Sequence, residues 1–202
     1  MFPMNDTLTQ EIATAAAALV VDEGLEYGPA KRRALKVLGL PPRTPLPNNN
    51  EVEAAVREHI AIFCADTQPA ELHALRELAL VWMERLAEFR PHLGGAVWHG
   101  TATALSDIYL QLFCDDPKAL EITLINQNVD YDATTVNGLH GNEVEALSLS
   151  SRCEALHTWV GIHLLVNDAD DFRGALLPDE LGRKPRGNAH EVRQRLQAEA
   201  SV

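Results

Sequence analysis

Long apolar runs, paired cysteines and an excess of positive charge are all missing from this 202-residue chain. The apolar stretch at residues 15–21 is far too short to span a bilayer and stops at Asp22 and Glu23, so no membrane insertion is expected. The first residues, Met1-Phe2-Pro3-Met4-Asn5-Asp6, carry no basic region followed by an apolar one. No export signal is expected, and a cytoplasmic location follows as the expectation. Cys64, Cys114 and Cys153 are odd in number and far apart, which excludes a disulfide framework and a CxxC zinc knuckle. Lys and Arg number 17 against 29 Asp and Glu, a net charge of −12, and that field repels phosphate backbones and anionic membranes. General nucleic-acid binding is therefore disfavoured.

What is present suits a globular protein. A hydrophobic fraction of 46% and a charged fraction of 23% exclude wholesale disorder and supply a core for one domain or two small ones. Residues 9–25 form an alanine-rich helix ended by Gly24, and a second helix starts at Ala30 after Gly28-Pro29. The proline- and asparagine-rich stretch 41–50 is a loop whose asparagines can cap the next helix. Helices are expected over 51–65 and 69–89. In the latter, Leu72, Leu75, Leu78, Ala79, Trp82, Met83 and Leu86 recur at three- and four-residue steps. Trp82 then belongs to a core or a homodimer interface, while His73 and Arg76 fall on the solvated side.

The periodicity changes at Arg90-Pro91. Residues 95–98 read as a short strand, and 107–113 alternate with period two, Ile108, Leu110 and Leu112 against Asp107, Tyr109 and Gln111. A helix follows over 117–126, an edge strand over 129–135, strands over 144–150 and 159–166, and a last helix over 189–198. The expected fold is α+β: a helical region over 1–90, then over 91–202 a small mixed sheet flanked by helices.

The run Gly100-Thr101-Ala102-Thr103-Ala104-Leu105-Ser106-Asp107-Ile108-Tyr109-Leu110 resembles the signature of the nucleotidyltransferase superfamily, in which a small-residue pair closes one strand and Ser-Asp-x-Asp opens another. The resemblance implies a nucleotidyltransferase-like core that binds a nucleotide or other phosphate ligand, with metal-dependent nucleotidyl transfer as its chemistry. Carried over, Gly100 and Thr101 receive phosphates, Ser106 and Asp107 open the second strand, and Asp107 holds Mg²⁺. Tyr109 stands where the second carboxylate should be and cannot replace a hard anionic ligand. A third carboxylate is expected from the next strands by their alternation, with Glu145 the first candidate for a metal ligand and Glu143 the second. The alternative is a catalytically inactive binding or interaction protein on the same fold.

Outside that run, His163 lies in an apolar strand and needs a hydrogen-bond partner, which makes it a candidate site residue beside Asp107. His99 is a second such histidine. A small hydrolase built on His163 and a carboxylate lacks a nucleophile motif. Asp130 and Asp132 have D-x-D spacing and either hold a metal, if their strand lies beside Asp107, or guard a sheet edge. Arg173, Arg183, Lys184 and Arg186 form a basic cluster in a Gly/Pro-rich tail, where cations either receive a phosphate or decorate a surface loop.

Overall fold

Asn48 writes a helix boundary directly into the fold. Its side-chain oxygen accepts the Glu51 N–H at 2.9 Å, and the Glu51 carboxylate accepts the Asn48 N–H at 2.6 Å, a reciprocal cap. The computed structural model describes residues 4–139, 141–179 and 181–199. Its elements run α1 (Met4–Glu23), α2 (Tyr27–Val37), α3 (Asn49–Phe63), α4 (Gln68–Arg85), β1 (His92–Gly94), α5 (Gly95–His99) and β2 (Ile108–Phe113). After these come α6 (Pro117–Asn126), β3 (Asp132–Asn137), β4 (Glu143–Cys153), β5 (Thr158–Asn167), α7 (Phe172–Ala175) and α8 (Ala189–Glu199). The fold is α+β. Among the described residues no helix is long and apolar enough to cross a membrane.

Two compact units result. One is the chain up to Ala70 together with Thr101–Leu105; the other is Glu71–Gly100 with everything from Ser106. The division falls at 70/71 rather than at 90/91, because the apolar stripe of α4 serves the sheet unit. In the first unit α1 packs on α2 and α3 around fully buried Ile12, Ala13, Ala16, Val52 and Val56. Alanine at these contacts lets helix axes approach closely. Gly24 closes α1 at φ +69°, and a Cβ there would lie 2.9 Å from the Leu105 carbonyl oxygen.

In the second unit five strands form one sheet in the order β1-β2-β5-β4-β3. Strands β2 and β5 are parallel; the other neighbours are antiparallel. Alternation divides the faces. Ile108, Leu110, Leu112, Leu147, Ile162 and Leu164 are fully buried on one side, where the Trp82 indole N–H donates to Ser151 Oγ at 3.0 Å. Trp82, 4% exposed, is thus part of this unit's own core. That removes it as an argument for a homodimer interface.

Three local expectations are corrected. Residues 95–98 are helix α5, because the strand of this region is His92–Gly94, paired with Gln111–Tyr109, and Gly95 turns out of it at φ +65°. Val97 and Trp98 are buried on α5, and the Trp98 indole donates to the Lys184 carbonyl at 2.8 Å. Arg76 is 5% exposed rather than solvated. It donates to the carbonyls of Val97 at 3.0 Å and Trp98 at 3.2 Å and pairs with Glu199, and burial followed by repulsion from Arg195 lowers its pKa to about 10. The edge strand β3 starts at Asp132, so Asp130 lies in the loop before it.

Candidate functional site

The face opposite the apolar core carries a row of functional groups. Tyr109 pairs with His163, His163 with Ser148 and Ser148 with Asp132, so four strands each place one such residue side by side. Directly paired residues share a face and stand about 4.5–5.5 Å apart at Cβ. The Tyr109 and His163 rings stack at 4.7 Å between centroids, tilted by 26°.

Asp107 enters this row from the mouth of β2. One of its carboxylate oxygens accepts the Gly161 N–H at 3.1 Å, and the other lies 3.2 Å from His163 Nε2. Gly161 is what lets it in, since a Cβ there would stand 2.6 Å from the Asp107 Oδ1. A glycine inside an apolar strand is the expected mark of such a close approach. On its other side His163 Nδ1 lies 2.9 Å from Ser148 Oγ. A carboxylate can only accept, so it holds the proton on Nε2 and leaves the Nδ1 lone pair facing the serine hydroxyl. The hydrogen bond from His163 is the main cause that lowers the Asp107 pKa; partial burial opposes it, and the Gly161 N–H adds to it.

Ser148 and His163 open into a cleft of about 780 Å³ between the 127–132 loop and β4. Arg85, Asp130, Asp132, Arg152 and Trp159 also line it. β3 begins opposite Ser148, so β4 runs past it, and residues Leu149 to Arg152 form one wall. The Trp159 ring is 66% exposed and stands directly across the ladder from Arg152. The Arg85 guanidinium lies 4.5 Å over the Trp82 ring and donates to the Gln127 side chain.

Among the expected site residues, the structure joins Asp107, Tyr109 and His163. Glu145 pairs with Val166 on the buried-core face, so it does not share the Asp107 side of the sheet, and Glu143 shares its parity. Gly100 ends α5 at φ +84° in the sheet unit, next to the Arg76 guanidinium. Thr101 is buried in the helical unit, where its hydroxyl finds no hydrogen-bond partner among the described residues. Neither these two nor Ser106 is among the described residues of the cleft. Asp132 stands on the far edge strand, with β5 and β4 between it and β2, so the D-x-D pair is not beside Asp107. Among the described residues no group of three or more His, Cys, Asp or Glu side chains could hold a metal ion. Asp107, with Tyr109 and His163 as its site neighbours, does not by itself fit the Mg²⁺ that the resemblance implies.

Three of the four tail cations are engaged in holding the chain. Arg183 binds Asp179 at 3.0 Å, Lys184 pairs with Glu191, and the half-buried Arg186 donates to the Ala175 carbonyl. Ser148 was missing from the sequence expectations, although the alternation Leu147-Ser148-Leu149-Ser150 places it on the polar face beside His163. Compared with models of known protein families and with curated proteins, the chain matches none.

Proposed function

We propose that the sheet unit binds a small ligand of the nucleotide class, a planar ring carrying an anionic group, in the cleft beside Ser148 and His163. The observation that carries this reading is the exposed Trp159 indole facing the cleft directly across from Arg152. An exposed indole offers a stacking platform for a base, and a guanidinium beside it offers paired donors to phosphate oxygens. The lining also holds Arg85 together with Asp130 and Asp132. Cations and carboxylates in one cleft suit a ligand with both an anionic group and the N–H donors of a base.

Binding without metal chemistry is favoured over metal-dependent nucleotidyl transfer by Tyr109, whose ring stacks on His163 where a second carboxylate would have to stand. Calorimetric titration with AMP, ADP and ATP, each with and without Mg²⁺, tests the proposal. Base stacking on an aromatic side chain contributes about 1–3 kcal/mol, so Trp159→Ala should weaken binding by roughly 5- to 150-fold. Arg152→Ala should weaken ADP and ATP more than AMP, and Mg²⁺ should leave the affinity unchanged. No heat with any nucleotide, or equal affinities for wild type and Trp159→Ala, would sink the reading.

A further inference from the structure

We propose that Ser148, His163 and Asp107 form a nucleophile–base–orienter relay that cleaves a carboxylic ester carried by the ligand of the cleft. The inference rests on the proposed function for the place of the ligand and adds the reactive group. Three independent contacts carry it: Ser148 Oγ to His163 Nδ1 at 2.9 Å, His163 Nε2 to Asp107 at 3.2 Å, and the Gly161 N–H to Asp107 at 3.1 Å. Such a relay is recognised by geometry and roles, not by sequence position or by which imidazole nitrogen faces the serine. Here the nitrogens are exchanged relative to the usual serine-protease arrangement, and the logic is unchanged. Asp107 fixes the proton on Nε2, so the nitrogen presented to Ser148 is the basic one.

The supports of the relay are built in. Gly161 leaves room for the carboxylate and pins it with its N–H. Tyr109 stacks on the imidazole and limits its rotation. The His163 side chain keeps 26% of its surface open, and both it and Ser148 line the cleft, so a substrate carbonyl can reach the hydroxyl. Ser150 and Arg152 follow Ser148 on the same strand face, the first of them roughly 7 Å along. Ser150 is the nearer of these two donors to a developing oxyanion.

The step balances without a further reactant. Ser148 Oγ bonds to the ester carbonyl carbon as its proton passes to His163 Nδ1. The tetrahedral oxyanion collapses, the C–O bond to the alcohol breaks, and Nδ1 returns the proton to the departing alkoxide. Water, deprotonated by the same nitrogen, then attacks the acyl carbon, the C–Oγ bond breaks to release the acid, and Nδ1 returns the proton to Ser148 Oγ. Ser148 and His163 are the catalytic residues and Asp107 is a positioning residue.

The test uses the full chain with p-nitrophenyl acetate and a fluorophosphonate probe. Expected are a burst of nitrophenolate and a probe adduct mapped by peptide mass spectrometry to Ser148. Ser148→Ala should abolish the adduct, and His163→Ala should slow ester cleavage by roughly 10²–10⁴-fold, the range of a positioned general base. Asp107→Asn offers an amide donor to Nε2 and so should move the proton to Nδ1, visible in the ¹⁵N shifts of His163, while labelling falls. Rescue of both readouts in Asp107→Glu supports positioning. An adduct absent from folded wild type, or equally strong in Ser148→Ala, overturns the relay. Nucleotide titration of the wild type separates the two ideas: binding without labelling overturns the relay alone, and labelling without nucleotide binding overturns the binding reading alone.

Discussion

The two faces of the sheet are made from the same strands and follow opposite rules. On one, Ile108, Leu110, Ile162 and Leu164 are fully buried and held by close packing. On the other, Tyr109, Ser148 and His163 stay partly open and are held by directed hydrogen bonds and a ring stack. The buried side sets whether the unit folds, because each lost methylene there leaves a void. The open side sets what the unit does, since its groups keep access to solvent and to one another. Alternating residues of β5 therefore carry almost separable consequences.

Substitutions should expose that separation. The largest loss is expected for Leu164→Ala on the buried face, about 2–5 kcal/mol of stability in urea unfolding followed by tryptophan fluorescence, with nucleotide affinity retained in the folded fraction. Gly161→Ala crosses the two rules, because its new methyl group would stand 2.6 Å from the Asp107 Oδ1. We expect a cost of about 1–3 kcal/mol from overpacking together with loss of the His163 tautomer preference by NMR. Ser148→Ala is the mildest, about 1 kcal/mol or less from one hydrogen bond at a partly open position. A Ser148→Ala variant as unstable as Leu164→Ala would show that the faces are not separable.

Asp107 sharpens the comparison through pH. Its pKa in the folded chain is lowered, chiefly by the hydrogen bond from His163, so its ionised form favours folding. That contribution is fully present above the ordinary carboxylate range near 4 and disappears as pH falls through the lower folded value. The stability difference between wild type and Asp107→Asn should thus be flat above about pH 5 and shrink at lower pH. A difference that grew on acidification would contradict the assigned interaction.

Much of this architecture was legible because it is local. The helix at Pro117–Asn126 begins where Asp116 caps it and has the expected bounds. Strand β2 was legible for the same reason, as its alternation records a face, and β5 was legible as an apolar run. Residues 95–98 were misread as a strand because so short a segment leaves too little period to tell strand from helix, and the deciding contacts come from Arg76, Lys184 and Gly187, distant in sequence. Asp107 and Tyr109 were singled out by the Ser-Asp-x-Asp resemblance, and His163 as a histidine inside an apolar strand. Ser148 was not, because only the register of β4 against β5 brings it to His163. The same register puts Glu145 on the other face, which a strand read alone cannot reveal.

The carbonyl of Trp98 accepts hydrogen bonds from Arg76 at 3.2 Å and from Arg195 at 2.8 Å, the latter 97 residues further along. At synthesis rates of about 5–20 residues per second, some 5–20 s separate the appearance of Trp98 and Arg195 on the ribosome. Until residues 184–199 emerge, the Trp98 indole lacks first Lys184 and Gly187, and Arg76 lacks Glu199. The sheet unit therefore completes its packing late, and a nascent chain stalled before residue 184 should present an unshielded indole that a chaperone can hold.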